Sequence, residues 1–171
     1  MIIHKRLMTT RLDCCAPTKR SLKDVKAIVI HYTGNKGDTA KGNCNYFKNG
    51  DLKRYAGAHY FIDNKQVWQS VPMTRTAYSV GAITPDRSKG GSRWWGVYNN
   101  NNTVSIEMCD LIGHGVRERQ KRLLKKLVKK IRKKCPNVQR IIRHFDVTGK
   151  ICPEFYVDNP KKWEHLLEYL Y

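Results

Sequence analysis

The sequence predicts a single α/β domain with a central mixed β-sheet flanked by helices. Three observations predict it. β-Branched runs alternate with amphipathic stretches, no repeat or linker divides the chain, and 171 residues with 40% hydrophobic content suffice for one sizeable core. We therefore expect residues 1–171 to form one domain.

The first strong strand signal is VKAIVIHYTG, residues 25–34. Its β-branched run predicts a buried strand that carries His31 near its C-terminal end. Residues 39–50 follow as a predicted helix, because Asn49-Gly50 is a typical helix end. The chain therefore enters the domain as a strand followed by a helix.

The next segment, AHYFIDNKQVWQSVP at 58–72, predicts a hairpin of two short strands about the Asp63-Asn64 turn. Residues 81–102 are rich in Gly, Ser and Asn and predict a long loop, a feature that is usually functional or disordered. Trp94 and Trp95 could form a groove wall in this loop or pin the loop to the core.

The second half of the chain repeats the alternation of strand and helix. TVSIEMCDL at 103–111 predicts a strand, and a strongly basic helix follows at 116–134. VQRIIRHFD at 138–146 predicts another strand, which a loop joins to a helix at 159–170.

The formal net charge of +19 is concentrated in the basic helix. Residues 116–134 hold eleven lysines and arginines and one glutamate, so they supply ten of the nineteen charges. The apolar members recur at three-to-four spacing, which predicts a buried stripe beneath a cationic outer face; they are Val116, Leu123, Leu124, Leu127, Val128 and Ile131. A charge run is usually a solvated face, and a polyanionic partner such as nucleic acid, anionic lipid or an anionic wall polymer is the alternative.

Neither export nor membrane insertion is expected. No apolar run approaches the roughly 18–20 residues of a membrane span. The N-terminal segment is interrupted by His4, Lys5, Arg6 and Arg11, so it lacks the apolar stretch of a signal peptide. Reduced thiols are then the default for the cysteines at 14, 15, 44, 109, 135 and 152, which show no paired metal-finger spacing.

Three side chains suited to zinc fall at predicted strand ends or in the loop after one: His31, His144 and Cys152. Two imidazoles and one thiolate would leave a fourth tetrahedral position for water, which is the form of a catalytic site. Taken singly, a buried histidine is usually a hydrogen-bonded core residue and a buried cysteine usually serves packing. Spacing alone leaves both interpretations open.

Two further residues strengthen the catalytic interpretation. Glu107 lies in an otherwise apolar strand, where an acid costs free energy unless it is paired or works as a base. Lys150 comes two residues before Cys152 and could reach a developing oxyanion. The alternatives are an edge-strand carboxylate for Glu107 and a surface lysine for Lys150.

Four segments, IVIHYTGN, AHYFIDNKQVWQSVP, NTVSIEMC and RHFDVTGKICP, together resemble the zinc-dependent N-acetylmuramoyl-L-alanine amidases of the type 2 superfamily. That superfamily includes phage lysozyme-like amidases, bacterial autolysins and peptidoglycan-recognition proteins. The resemblance covers about residues 25–155, and the four motifs occur in the family's order. It implies an amidase type 2 / peptidoglycan-recognition-like fold and hydrolysis of the amide bond between N-acetylmuramic acid and L-alanine.

The resemblance also implies roles for individual residues. His31, His144 and Cys152 correspond to the family's zinc ligands. Lys150 corresponds to the lysine that stabilises the tetrahedral intermediate, and Glu107 fits the family's general base. One departure concerns the hairpin, where some members place a catalytic tyrosine directly before a histidine.

In this chain that position is Ala58, ahead of His59. We therefore assign the base to Glu107, expect little from Tyr60, and expect His59 to support the site or line its groove without binding the metal. Asp146 is expected to shape the loop around the ligands.

For partners, the resemblance implies peptidoglycan, with anionic wall polymers along residues 116–134, no nucleic acid and a monomeric state. A missing export signal favours a phage or prophage lysin, made in the cytoplasm and acting on the wall after release. Two alternatives stay open. A non-catalytic peptidoglycan-binding module would typically lack the third ligand, and a basic nucleic-acid-binding protein should carry a recognised motif, which is not found.

Overall fold

A mixed β-sheet forms the centre of the molecule, in a computed structural model that describes residues 1–8, 12–49 and 55–171. Within these residues six strands form this sheet and two more form a small antiparallel pair. In chain order the strands are β1 Ile3–Lys5, β2 Cys15–Lys19, β3 Ala27–Tyr32, β4 Tyr60–Ile62, β5 Val67–Gln69, β6 Arg75–Ala77, β7 Thr103–Met108 and β8 Arg140–Arg143.

The sheet order is β1-β5-β4-β7-β3-β8. The four strands β4, β7, β3 and β8 run parallel to one another, whereas β5 runs antiparallel to β4 as the second half of the predicted hairpin. β1 pairs in parallel with β5 at one edge, and β2 pairs with β6 outside the main sheet. The predicted fold class, a central mixed sheet flanked by helices, is therefore confirmed.

Helices connect and cover the strands. They are α1 Ala40–Asn49, α2 Glu118–Lys134, α3 His144–Thr148, α4 Glu154–Asp158 and α5 Pro160–Leu170, and short 3-10 turns occur at Leu22–Asp24 and Asn100–Asn102. α1 matches the helix predicted at 39–50, although Gly50 lies outside the described residues. None of the helices in the described ranges is long and apolar enough to cross a membrane.

The two faces of the sheet carry different kinds of side chains. On one face, alternate side chains such as Ile30 and Ile106 pack with α2 and α5 in the largest hydrophobic core. The opposite face of the same two strands carries His31 and Glu107, which are partners in the register of β3 and β7. Helices α2 and α5 thus cover one face, whereas the functional groups share the other face with α1, which packs against Phe61.

The predicted basic helix is α2. Its apolar stripe is buried as expected, at Leu124, Leu127, Val128 and Ile131. The helix begins at Glu118 and not at 116, because Arg117 has an extended backbone at the N-cap. Val116 instead donates its N–H to the Tyr156 hydroxyl, 3.0 Å away, and so lies in the connection before the helix.

One strand prediction was wrong at its end. The strand expected over 138–146 stops at Arg143, and His144 opens the short helix α3. The cause is local, because the Asp146 carboxylate accepts a hydrogen bond from the Arg143 N–H at 2.8 Å and also pairs with its guanidinium at 2.7 Å. This N-terminal cap starts the helix, and Gly149, in the left-handed conformation at φ 84°, ends it.

The long loop at 81–102 packs against α3. Backbone hydrogen bonds join Asp86 to Thr148 at 2.9 Å, Ser92 to Phe145 at 3.0 Å and Trp94 to Asp146 at 2.8 Å. The Trp94 ring also packs beside Tyr98 and under the Arg140 guanidinium. Of the two interpretations of this tryptophan, the structure supports the one in which it pins the loop to the core.

Candidate metal centre

Three buried side chains from separate parts of the fold meet at the open face of the sheet. His31 comes from the end of β3, His144 is the first residue of α3, and Cys152 follows in the loop after α3. One nitrogen or sulfur atom from each lies within 4.8 Å of the other two. The structure therefore brings together the three residues that the sequence singled out as candidate ligands.

The three side chains are close together, with space between them for an ion. The Sγ of Cys152 lies 3.9 Å from Nδ1 of His31, and the two imidazole rings have centroids 4.7 Å apart at 61°. Nε2 of His31 and Nδ1 of His144 are buried without a hydrogen-bond partner among the described residues. Buried polar atoms in native proteins normally have partners, so these orphaned nitrogens fit a site that is completed by a bound ion.

Burial keeps both imidazoles in the neutral form that can bind a metal. It lowers the pKa of His144 to about 3, with a further contribution from the Lys150 ammonium. It also lowers the pKa of His31 well below the ordinary value, assisted by His144 and Lys150. Burial raises the pKa of the Cys152 thiol, and a metal ion would reverse that effect because a coordinating thiol loses its proton.

The donor set fits zinc. Two imidazole nitrogens and one sulfur match the ligand chemistry of Zn²⁺, and three protein ligands leave a fourth tetrahedral position open. No additional His, Cys, Asp or Glu joins this cluster in the parts of the chain that the structure describes. His31, His144 and Cys152 would hold the ion.

Glu107 stands beside the three ligands. Its Cα is the register partner of His31 across β3 and β7, and its Oε2 is buried with no hydrogen-bond partner among the described residues. Burial raises the pKa of Glu107 to about 8, while the nearby Lys150 ammonium opposes this and Asp38 adds to it. A carboxyl with a pKa close to neutrality is suited to accept and return a proton.

Lys150 is exposed at the mouth of the same site. Its charge lowers the pKa values of Glu107, His31 and His144. The backbone N–H of Lys150 donates to Thr148 Oγ1 at 3.3 Å, directly after the Gly149 turn. The turn therefore places a cation at the cleft, where its charge acts on the candidate ligands.

All five of these residues line one open cleft of about 790 Å³. Several polar and aromatic side chains that the sequence did not single out share the cleft, namely Tyr32, Asn35, Asn43, Tyr46, Tyr55 and Tyr78. They come from widely separated segments, so spacing could not reveal them, and the nine tyrosines of the composition were the available signal. Trp94 and Trp95 are not among the lining residues.

His59 is buried and hydrogen-bonded, and it does not line the cleft. It is buried, with ring nitrogens 3.0 Å from Ser105 Oγ and 3.0 Å from the Arg75 carbonyl. Arg20 approaches the same ring at 3.0 Å. The expected place of His59 in the groove was therefore wrong, whereas its expected role in supporting the site without binding the metal stays a prediction.

Tyr60, Asp146 and the cysteines are the other residues on which the sequence raised expectations. Tyr60 is buried in the main core, and Asp146 shapes the ligand-bearing segment through the cap described above. All six cysteines lie in the described part of the chain, and all are buried. Cys152 is the one that joins the candidate metal cluster.

Sequence comparisons identify relatives across most of the chain. The family model described as N-acetylmuramoyl-L-alanine amidase matches residues 21–155. The N-acetylmuramoyl-L-alanine amidase BlyA of Bacillus subtilis (strain 168) is 32% identical over 151 residues, which cover 83% of this chain and 40% of BlyA. CwlL of Bacillus licheniformis, which bears the same enzyme name, is 32% identical over 143 residues, covering 81% of this chain and 38% of CwlL. The chain thus spans about two-fifths of the length of these relatives.

Solved structures share the fold. PlyL superposes with a TM-score of 0.76 at 21% identity, covering 99% of this chain and 97% of PlyL. The catalytic domain of XlyA superposes with a TM-score of 0.74 at 18% identity, covering 100% of both chains.

Proposed function

The chain belongs to the N-acetylmuramoyl-L-alanine amidase family, and on that premise we propose that it hydrolyses the amide bond between N-acetylmuramic acid and L-alanine in bacterial peptidoglycan. The observation that carries this proposal is the convergence of His31, His144 and Cys152, with Glu107 beside them, in an open cleft. A non-catalytic binding module has no need of a half-buried acid with a buried, unpartnered oxygen beside an incomplete set of metal ligands.

The proposed cofactor is zinc, held by His31, His144 and Cys152. When bound, zinc lowers the pKa of a coordinated water toward about 7 and polarises a carbonyl oxygen. The two imidazoles serve as neutral donors because burial keeps them unprotonated at neutral pH.

Glu107 is the proposed general base. Its carboxylate takes a proton from the attacking water and later gives that proton to the leaving amine of L-alanine, so one residue serves both halves of the reaction. A pKa of about 8 makes both the charged and the neutral form accessible near neutral pH, and the positive charge of a bound ion would favour the charged form.

Lys150 is the proposed oxyanion partner. Attack on the lactyl carbonyl of N-acetylmuramic acid places negative charge on its oxygen, and an ammonium at the cleft mouth can stabilise that charge. The exposure of Lys150 allows its long side chain to follow the substrate. The products are the glycan strand and the free stem peptide.

The rest of the cleft fits a glycopeptide. Tyr46 and Tyr55 are 55% and 77% exposed, so their ring faces are available to the flat, apolar faces of sugar rings. Tyr55 also packs edge-on against Tyr78, with ring centroids 5.7 Å apart. We assign the glycan to this aromatic end of the cleft.

The cationic face of α2 is the proposed means of retention at the wall. Its exposed side chains include Arg119, Lys126 and Lys129, and walls of Gram-positive bacteria carry anionic polymers. Such attraction is screened by salt. Binding to intact walls that stays unchanged well above physiological ionic strength would rule out this form of retention.

The proposed place of action is the cell wall, in the manner of a phage or prophage lysin, with residues 1–171 acting as one catalytic domain. The supporting observation is the likeness in fold to PlyL and to the catalytic domain of XlyA along nearly the whole chain.

The test uses purified sacculi. Muropeptide release is measured for wild type, for wild type with a chelator, for wild type with zinc restored, and for Glu107→Ala. We expect release by wild type, loss with chelator, recovery with zinc and near-complete loss in Glu107→Ala. No release by zinc-loaded wild type would overturn the amidase proposal, whereas unchanged release by Glu107→Ala would overturn only the choice of base.

A further inference from the structure

A second pocket lies on the opposite side of the sheet from the metal centre. Its open volume is about 280 Å³, and Tyr60 from β4 forms part of its lining. Tyr60 belongs to the core beneath α2, whereas its neighbour Phe61 lines the catalytic cleft. Because successive side chains of a strand point to opposite faces, the two pockets cannot share a wall of side chains.

Three lysines surround this pocket and come from two elements. Lys5 belongs to β1, and Lys130 and Lys134 stand one turn apart on α2. No acidic residue lines the pocket, and no ion pair involves these lysines in the described ranges. Three positive charges therefore converge there without compensation.

The attraction of cations to the C-terminal end of α2 does not explain the positions of all three lysines. The carbonyls of a helix C-terminus attract cations within the last turn, which explains Lys134. Lys130 lies before that last turn, and Lys5 comes from a different part of the chain. Like charges four residues apart on a helix repel each other. An anion bound between Lys130 and Lys134 would reduce this repulsion.

The other lining groups suit a small uncharged polyol. Met73 and Leu22 provide apolar surface, and Thr74 and Gln69 provide polar groups. The volume is near the lower limit of small-molecule sites. The one aromatic ring in the lining, Tyr60, is 4% exposed, so a nucleic-acid base would find no platform for stacking.

We propose that this pocket binds one phosphate of a polyol-phosphate chain, and that the exposed lysines of α2 attract the neighbouring phosphates. The proposal rests on the proposed action at the cell wall and specifies how the wall polymer is held. Because the pocket and the cleft lie on opposite faces of the sheet, the polymer and the peptidoglycan can be bound at the same time.

The test compares two pairs of lysines with the same change in net charge. Lys130→Gln/Lys134→Gln removes two pocket lysines, and Lys161→Gln/Lys162→Gln removes two exposed lysines of α5 that do not line the pocket. The probe is a synthetic poly(glycerol phosphate) of defined length, and its dissociation constant is measured by calorimetry over a range of salt concentrations. Amidase activity on a small soluble muropeptide is measured for every variant.

We expect the pocket pair to weaken probe binding about tenfold at physiological salt and to reduce the salt slope by about one per lysine. The control pair should change binding by less than about threefold, and the muropeptide activity of all variants should match wild type. Equal losses of probe affinity in both pairs of variants, or no loss in the pocket pair, would overturn the proposal that the pocket binds a phosphate.

An oligothymidylate of the same charge tests the choice of occupant. The proposed occupant is wrong if the oligothymidylate binds wild type as tightly as the polyol phosphate does and if the pocket-pair substitutions weaken both ligands equally. Absence of muropeptide activity in wild type would contradict the amidase proposal, while probe binding would still be measured independently.

Discussion

His31 and Glu107 are register partners on the adjacent parallel strands β3 and β7. Their side chains therefore leave the sheet on the same face, and the sheet hydrogen bonds hold them in place before any ligand arrives. A candidate metal ligand and the proposed base are thus fixed relative to each other by the most rigid part of the fold.

Glu107→Gln should abolish most of the activity while leaving the zinc content unchanged. The amide keeps the size of the side chain but cannot take a proton, and the loss of a general base typically costs about 100- to 10,000-fold in kcat. Zinc per protein is measured by atomic spectroscopy beside the rate. A variant that loses its zinc together with its activity would show that Glu107 supports the metal and does not act as the base.

Cys152→Ser should weaken zinc binding strongly, because the hydroxyl of serine is a poor replacement for a thiolate. Loss of outer partners alone costs about 10- to 100-fold in metal affinity, so we expect at least a 100-fold rise in the zinc dissociation constant. The matched control is Cys135→Ser, which changes a buried cysteine of the α2 core. If both variants keep wild-type affinity, Cys152 is not a ligand.

Lys150→Met should move the acidic limb of the pH profile of kcat/KM to higher pH. The Lys150 ammonium lowers the pKa of Glu107, so its removal makes the carboxylate harder to form and shifts the limb upward. The rate should also fall, by about 100-fold, through loss of the oxyanion partner. Lys161→Met, at an exposed position in α5, is the control and should leave the limb in place.

The acid sensitivity of the fold should depend on His59. Burial, reinforced by Arg20, lowers the pKa of His59 to about 3, below its unfolded value of about 6.5. The unfolded state therefore binds the proton first, and stability that is present above pH 6.5 is lost as pH falls toward 3.

Each pH unit in that window should remove about 1 kcal/mol of unfolding free energy through His59. His59→Gln cannot titrate, so its stability should depend less steeply on pH than that of wild type between pH 6 and 4. Chemical denaturation at several pH values measures both slopes. Identical slopes would show that His59 does not control acid stability.

Gly149→Ala should destabilise the protein and loosen the metal site. Gly149 has a φ of 84°, and an added Cβ would collide with the backbone of Asp86 in the long loop. The left-handed conformation alone costs a non-glycine residue about 1–3 kcal/mol. We expect a lower melting temperature together with weaker zinc binding, since the loop supports α3. A melting temperature and a zinc affinity equal to those of wild type would show that the loop does not support the metal site.

The sequence could predict the parts of the fold that are long and regular. The buried run of β3, the hairpin around Asp63 and the amphipathic α2 each carry a periodic pattern, and each occurs where it was expected. The candidate metal ligands could also be named from the sequence, since His31 and Cys152 lie in the motifs that carry the family resemblance.

Other parts could not be predicted, for physical reasons. The strands β1 and β6 have three residues each, and their pairing depends on distant segments. The helices α3 and α4 have five residues each, which is too short for a helical period to appear. The cleft tyrosines meet only after the sheet has formed, so local sequence carries no sign of their grouping.

The most direct test of the central claim identifies the bond that is cut. Purified sacculi are digested with the zinc-loaded protein, and the products are analysed by mass spectrometry and by labelling of new amino groups. We expect stem peptides with a free L-alanine amino terminus and glycan strands whose muramic acid carries a free lactyl carboxylate. Products that keep the muramoyl–alanine bond and are cut within the glycan or the peptide would contradict the claim.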